Sequence, residues 1–566
     1  MFNILRNNCV LQRIHIKRGF AKNEPILDYK KGTTQYNELK SVLNDMNSKV
    51  HKIPIIIAGK EYHTDDIMYQ KIPSNHNQNL AQYCYADKIL IKLAINTAVK
   101  AQKEWSLLNQ TERSKIFEKA ADLVSGKYRA QLLSSTMLGQ GKTIFQAEID
   151  AACELADFYR FHSEWAKNLS KTQPISLPNV ENKMFYRGME GFWAAICPFN
   201  FTAISGNLSG TPAMLGNGVV WKPSDTSVHS SYLIIKILME AGLPDGVINF
   251  VPADGKTFGK CITKMKGIRW SLYFFCIIRT FTTLWKDVAD NIDKYTNYPR
   301  LIGGTLFFII DQYYIKTNHE CGGKNYHLIH ESAKKDIDAI VYDSCRSAFE
   351  YSGQKCSACS RIYIPSNLWN PIKDKFIESM KKIKLGDVLD DDTFLSSVID
   401  EKSFDRINKA ITSAKSDPEC TIICGGDTDK SKGYYIQPTL IQTKNPNHNL
   451  LKEELFGPVL AVYVYEPNDW DTIIALINKS KHALTGSIYC YDKNILNVSR
   501  KLLVNTTGNF YINNKSTGSV VGQQPFGGAR KSGTNDKAGS PYYVTKFTNI
   551  LSVKRTFKPT KQLLND

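Results

Sequence analysis

The string with most chemical potential is Phe349-Glu-Tyr-Ser-Gly-Gln-Lys-Cys-Ser-Ala-Cys-Ser-Arg361. Cys356 follows a glycine-containing turn and precedes small residues, so its thiol can stand exposed at a helix start. Backbone N–H groups and Lys355 would favour the thiolate there. A free thiol near pKa ~8.5 is only slightly ionised at neutral pH, so a nucleophilic cysteine needs such help. Taken alone, such a residue is more often a buried structural cysteine. Cys356-x-x-Cys359 also has the spacing of a redox dithiol or of half a zinc site. Zinc requires a second ligand pair, which no other spacing supplies, and a redox pair belongs to a small thioredoxin-like unit foreign to this context. No metal site is expected.

Glu320-Cys-Gly-Gly-Lys-Asn325 sets a carboxylate beside two glycines, where backbone and substrate can approach closely. Partial burial would raise such an acid toward the range of a general base; a solvated loop acid is the plainer alternative. Asn200, in Pro-Phe-Asn-Phe at a strand end, can donate its amide N–H to a developing oxyanion or serve only as a turn residue. Ser516-Thr-Gly-Ser519 and Gly527-Gly528 form a loop of small donors able to hold a carboxylate, or a merely flexible one.

These groups need a frame, and the middle of the chain supplies one. Gly191 to Cys197 reads as a short apolar strand, Thr202 to Leu215 as a helix, and Val219-Val-Trp221 as a second strand ending at Lys222-Pro223. Ser230 to Ala241 reads as a helix and Val247 to Val251 as a third strand. Strand, helix, strand, helix, strand with short connections is a doubly wound α/β unit. Ligands bind such sheets at the carboxyl ends of the strands, where Pro198 to Phe201 and Lys222 to Asp225 would lie. No GxGxxG is present. Upstream, Ala86 to Ser125 reads as helices, with Thr111 as the cap of the second, and Asp150 to Leu169 as another. A second α/β region runs from Asp336 to about Asn513, with strands at Ile362–Ile364, Thr421–Ile423 and Leu460–Val464. The tail from Ser532 would form strands or an arm.

Composition sets outer limits. The 566 residues are 42% hydrophobic and 22% charged, with 35 Gly and 21 Pro, which excludes collagen-like, coiled-coil and largely disordered chains. No apolar run approaches the ~18 residues of a membrane span, so no membrane insertion is expected. Thirteen cysteines without regular spacing read as reduced intracellular thiols. The net charge of +18 would suggest anionic partners. Five of those charges, Arg6, Arg13, Lys17, Arg18 and Lys22, precede the first acid, Glu24, and alternate with apolar residues able to share one helical face. That is the composition of a mitochondrial transit peptide. Its removal leaves +13, and nucleic acid becomes a poor partner.

Taken together, these motifs resemble the aldehyde dehydrogenase superfamily and, within it, the Δ1-pyrroline-5-carboxylate (glutamate γ-semialdehyde) dehydrogenases. The resemblance runs in order from about residue 25 to the C-terminus. It is carried by Arg187 through Thr202, Trp221-Lys-Pro-Ser-Asp-Thr226, Asn249-Phe-Val-Pro-Ala-Asp-Gly255, the Glu320 and Cys356 strings, Glu453-Glu-Leu-Phe-Gly-Pro-Val459, and Gly508 through Asp536. It implies an α/β fold with a Rossmann-like NAD-binding domain, an α/β catalytic domain and a small β oligomerisation arm. The implied division is a transit peptide at 1–22, an NAD-binding domain at 23–319 that includes part of the arm near 165–190, and a catalytic domain at 320–515. Residues 516–566 would be the substrate-anchor loop and C-terminal arm. The implied reaction is NAD-dependent oxidation of glutamate γ-semialdehyde to glutamate, the second step of proline degradation, by a homodimer of the mitochondrial matrix. Cys356 matches the nucleophile, Asn200 the oxyanion donor and Glu320 the base that activates water. Cys197, Lys222, Ser224 and Glu454 match cofactor contacts. Ser357, Gly518 and Ser519 match the anchor of the substrate carboxylate, and Phe201 and Phe526 its aromatic walls.

Two stretches depart from the family pattern. Where it has a Phe-Thr-Gly-Ser turn, residues 269–278 read Arg-Trp-Ser-Leu-Tyr-Phe-Phe-Cys-Ile-Ile, and residues 304–319 separate Gly303 from Glu320. Both are rich in residues with A/T-rich codons, which points to translated intron sequence or gene-model error, and sequencing the transcript decides the matter. If both belong to the mature chain, the expectation is an impaired or inactive homologue, since ~1 Å of misplacement costs ~100-fold in rate.

Overall fold

In the computed structural model, residues 21–264, 270–275, 278–304 and 323–558 are described. The expected transit segment falls almost wholly outside them, as do Glu320 and most of 304–319.

The first sheet has seven strands, in the order Leu301–Gly304, Trp270–Phe275, Phe192–Ile196, Gly218–Lys222, Ile248–Phe250, Ile55–Ile57, Lys60–Tyr62. The first five are parallel and the last two pair antiparallel. Phe192–Ile196 and Gly218–Lys222 are buried throughout, as parallel strands covered on both faces must be. Their side chains alternate between two cores. Ala194, Ile196 and Val220 pack with Ile91, Ala94 and Ile95 of the helix Lys88–Trp105. Trp193, Ala195, Val219 and Trp221 pack with Leu208 of the helix Thr202–Met214 and Ile234 of the helix Val228–Ala241. Gly218 permits this closeness, since a Cβ there would lie 2.2 Å from the Ala98 carbonyl oxygen. The doubly wound unit expected from the sequence is present.

The departing segment is not peripheral. Trp270–Phe275 lies between Phe192–Ile196 and Leu301–Gly304, with Leu272 opposite both Ala194 and Leu301.

A second seven-stranded sheet runs Cys420–Cys424, Thr439–Thr443, Val459–Tyr465, Arg361–Pro365, Tyr326–Ile329, Thr485–Tyr489, Asn509–Ile512. Only Cys420–Cys424 is antiparallel. The expected strands at 362–364, 421–423 and 460–464 all lie in it. Thr548–Thr556 pairs antiparallel with Val180–Gly188, giving the tail its arm.

Two local expectations are corrected. The helix Gln110–Ser125 is capped by Asn109, not Thr111: Asn109 accepts from Glu112 N–H while the Glu112 side chain accepts from Asn109 N–H. The helix expected from Asp150 to Leu169 begins as a π-helical segment, Glu148–Glu154, and becomes α-helical only at Leu155.

Candidate active site

Asn200 follows the carboxyl end of Phe192–Ile196, just before the helix Thr202–Met214. It is fully buried, and its Nδ2 donates to the Gln354 carbonyl at 3.0 Å. This bond joins the first sheet to the loop bearing Cys356. The amide keeps a second N–H for another acceptor, while Oδ1 has no hydrogen-bond partner among the described residues.

Cys356 lies in a turn between the short 3-10 segment Glu350–Gly353 and the strand Arg361–Pro365. The expected helix start is therefore corrected. Tyr351, Ser352 and Gly353 are left-handed in succession, at φ 54°, 53° and 67°. Two non-glycine residues there cost roughly 1–2 kcal/mol each, and the surrounding structure holds them. A Cβ on Gly353 would lie 2.2 Å from the Gly457 carbonyl oxygen, so the turn is pressed against its neighbour. Asn325 clamps the far side of the loop: its Nδ2 donates to the carbonyls of Cys356 (2.7 Å) and Ala358 (2.8 Å), and its Oδ1 accepts from Thr485 N–H (3.0 Å). Gly323 passes so close that a Cβ would meet the Cys356 carbonyl at 2.7 Å. Asn325 had no role assigned from the sequence, although it closes the Glu320 motif.

The electrostatics also correct the expectation for the thiol. Burial pushes Cys356 up to about 12, with Glu454 and Glu154 adding to the effect and the N–H groups of Ser357 and Cys356 opposing it. Lys355 does not serve the thiolate; its ammonium pairs with Glu350 at 2.8 Å. The thiol is thus neutral at rest and must lose its proton as it attacks. Cys359 turns away, its Sγ 3.4 Å from the Arg361 carbonyl oxygen, and both cysteines are free thiols.

Ser357 carries the site onward. Its Oγ lies 2.6 Å from Thr517 Oγ1, linking the cysteine loop to Ser516–Ser519. Gly518 is left-handed at φ 97°, and Ser519 Oγ donates to the Gln524 carbonyl. Ser516 is fixed by Ser347 at 3.0 Å and by His327, whose Nε2 accepts from Ser516 N–H at 3.2 Å. Phe201 and Phe526, both partly buried, pack against the same core as Cys356.

At the opposite end, Lys222 ends its strand and pairs with Asp225 at 3.5 Å, while Tyr85 donates to Asp225 Oδ2 at 2.9 Å. Ser224 Oγ lies 3.3 Å from Thr226 Oγ1. The Cys197 sulfur accepts from Trp221 Nε1 at 3.1 Å, so its side chain is committed to packing. Burial pushes the Glu454 carboxyl well above the usual range, against the pull of Gly323 N–H, Lys324 and Arg406. The same burial, with Arg361 adding to it, lowers Lys324 to about 7. Two buried acceptors face this region: Glu454 Oε2 takes no hydrogen bond among the described residues, and Asp225 Oδ1 meets only the 3.5 Å ion pair with Lys222 among them. They suit the hydroxyls of a dinucleotide's two riboses, beside a lysine suited to its anionic character. Glu320 lies outside the described residues.

The model of the aldehyde dehydrogenase family matches residues 63–295 and 302–553. The mitochondrial Δ1-pyrroline-5-carboxylate dehydrogenase of Danio rerio is 49% identical over 541 residues, covering 95% of this chain and 94% of its own. That of Homo sapiens is 48% identical over 539 residues, covering 95% and 92%. The crystal structure of the Δ-pyrroline-5-carboxylate dehydrogenase from Mycobacterium tuberculosis bound with NAD superposes with a TM-score of 0.89 at 36% identity, covering 96% of this chain and 97% of that one.

Proposed function

Because the chain belongs to the aldehyde dehydrogenase family, we propose that Cys356 is its nucleophile and that the loops around it select an aldehyde bearing an α-carboxylate. The reaction is the NAD-dependent oxidation of Δ1-pyrroline-5-carboxylate, through its open-chain form L-glutamate γ-semialdehyde, to L-glutamate.

The observation that carries the site assignment is the convergence of Asn200, Asn325 and Thr517 on the cysteine loop. In this reading the Cys356 sulfur adds to the aldehyde carbon, and the carbonyl oxygen becomes an oxyanion. The free N–H of Asn200 and the backbone N–H of Cys356 stabilise it. NAD+, when bound, accepts the hydride. Lys222, Ser224 and Glu454 hold the cofactor, with Cys197 bordering it. Water then cleaves the Cys356 thioester, releasing the γ-carboxylate; the base for that water is Glu320. Ser357, Gly518 and Ser519 hold the α-carboxylate, and Phe201 and Phe526 flank the methylenes. A charged five-carbon aldehyde needs anion donors at one end and the thiol at the other.

We assign residues 23–319 to cofactor binding, 320–515 to catalysis, and 516–566 to the anchor loop and arm. The curated relatives are mitochondrial enzymes, and the basic, acid-free leader supports import to the matrix. The arm exposes Phe185, Leu551 and Val553 on one side of the paired strands, an apolar face suited to a second copy of the chain. Leu551→Lys should convert a homodimer to monomer in sedimentation.

Purified protein given the semialdehyde and NAD+ will form NADH, and Cys356→Ala protein will not. No NADH above that control overturns the reading.

A further inference from the structure

A second cluster of reactive side chains lies at the outer edge of the second sheet. Asp417 is the C-cap of the helix Glu401–Ser416, Cys420 opens the edge strand Cys420–Cys424, and His448 precedes the 3-10 turn Asn449–Leu451. The strand pair brings them together: Cys420 stands opposite Thr443, and the chain turns back from there to His448. Cys420 Sγ lies 3.6 Å from His448 Nε2, and that nitrogen lies 3.1 Å from Asp417 Oδ2. All three ligand atoms fall within 4.8 Å of one another. Among the described residues this is the one set of three such side chains close enough to share an ion.

We propose that Asp417, Cys420 and His448 form a zinc site, with water as the fourth ligand. The spacings match the metal. Zinc holds a thiolate sulfur at about 2.3 Å and an imidazole nitrogen or carboxylate oxygen at about 2.0–2.1 Å. At the tetrahedral angle, sulfur and nitrogen then stand about 3.5 Å apart, and nitrogen and oxygen about 3.3 Å. The observed separations differ from these by no more than about 0.2 Å. A thiolate, an imidazole and a carboxylate together suit zinc, whereas calcium and magnesium take oxygen ligands. The His448 and Asp417 side chains are 15% and 32% exposed, so an ion reaches them from solvent and keeps a water.

The ligands are held in place from behind, as metal ligands are. Asp417 Oδ1 accepts from Glu419 N–H at 2.8 Å, which leaves Oδ2 toward His448. Cys420 N–H donates to the Asp417 carbonyl at 3.0 Å and closes the turn between those two ligands. Asn445 Nδ2 donates to Glu419 Oε2, and Lys444 N–H to the Glu419 carbonyl, both at 2.9 Å, tying the His448 loop to that turn. Leu450 N–H donates to His448 Nδ1 at 3.1 Å, so before the ion arrives the ring proton rests on Nε2. On binding, the Cys420 thiol proton goes to solvent, the ring proton moves to Nδ1, and the Leu450 bond is given up. The plainer reading is an Asp417–His448 ion pair beside a bystander thiol, which makes no use of the sulfur. Cys420 and His448 stand 28 residues apart, so no short motif marks the site in the sequence.

The test titrates the full-length, chelator-stripped protein with Zn²⁺ by isothermal calorimetry, in a Cys356→Ala background so that the proposed nucleophile takes no metal. One equivalent should bind. Cys420→Ser, His448→Gln and Asp417→Asn, each made in that background, should weaken this binding by about 100-fold or more. Cobalt(II) reports the ligands directly. It should give a thiolate-to-metal charge-transfer band in the near ultraviolet and intense tetrahedral bands in the visible, with the charge-transfer band lost in Cys420→Ser. Circular dichroism checks the fold of each variant, and Cys420→Ala replaces Cys420→Ser if the latter does not fold. Absence of zinc uptake overturns the proposal. So does uptake unchanged in all three variants, which places the metal elsewhere. Uptake lost in His448→Gln and Asp417→Asn but kept in Cys420→Ser shows a bystander thiol and overturns it as well.

Discussion

The ammonium of Lys142 lies 4.1 Å from the centre of the Phe201 ring, with the Tyr351 ring 4.6 Å from the same nitrogen. A single buried cation thus touches the proposed substrate wall Phe201, the left-handed turn before Cys356 and, through Asp150, the helix cap beside Asn200. Burial lowers its pKa and Asp150 opposes that shift.

Lys142→Met should leave Asp150 an unpaired buried charge and cost about 3–5 kcal/mol. Urea unfolding will measure the loss. The Lys142→Met/Asp150→Asn double variant should recover part of it. Surviving folded Lys142→Met enzyme should show a raised KM for the semialdehyde, since Phe201 loses its partner.

Asn200→Ala removes the proposed side-chain donor to the oxyanion. Loss of one such donor is worth about 3 kcal/mol in a transition state, so kcat should fall by two to three orders of magnitude. Stability should change by only about 1 kcal/mol, the worth of the single bond to Gln354. Steady-state kinetics beside thermal unfolding will separate the two effects.

Stability should also fall with rising pH through Glu154. Its carboxyl titrates near 8 in the folded protein against an ordinary 4.5. Between those values the folded state holds a proton that the unfolded state has released, so the contribution is lost as pH rises. Asp157, raised to about 6 by burial, adds the same sign between 3.8 and 6. Glu154→Gln should remove the first slope and keep the second. Urea midpoints at pH 5 and pH 8 should therefore diverge less in the variant, by on the order of a few kcal/mol.

Asn23 ties the segment after the basic leader to the proposed anchor loop. Its Nδ2 donates to Asp157 at 2.7 Å and to the Val521 carbonyl at 2.9 Å, and its Oδ1 accepts from Gln523 at 2.9 Å. A chain beginning at Lys30 should raise KM for the semialdehyde several-fold and leave KM for NAD+ unchanged. Equal changes in both would show a general loss of structure instead.

The frame of this site was legible because parallel strands must be apolar along their length, and the runs around Trp193 and Trp221 are. Once those strands were placed, their carboxyl ends carried Asn200 and Lys222 to the ligand side. The state of Cys356 was not legible. Glycine and small residues suggested a helix start, whereas the turn is left-handed through two non-glycine residues pressed against Gly457 from a distant segment. Lys355 beside the thiol suggested activation, but Glu350, five residues back, takes its charge. Nor does local spacing mark a π turn, so the segment Glu148–Glu154 was hidden within an ordinary-looking helix. Asn325, Thr517 and His327 act through long-range bonds that periodicity cannot register.

The short bond between Ser357 and Thr517 has a consequence for selectivity. One end of the gauge is the sulfur of Cys356, joined covalently to Ser357, and the other is the bend at Gly518, one residue beyond Thr517. On the proposed assignment, the span between thiol and carboxylate anchor is therefore fixed before any aldehyde arrives. The protein measures its substrate as a caliper does, and an acid aldehyde one methylene too short reaches only one jaw.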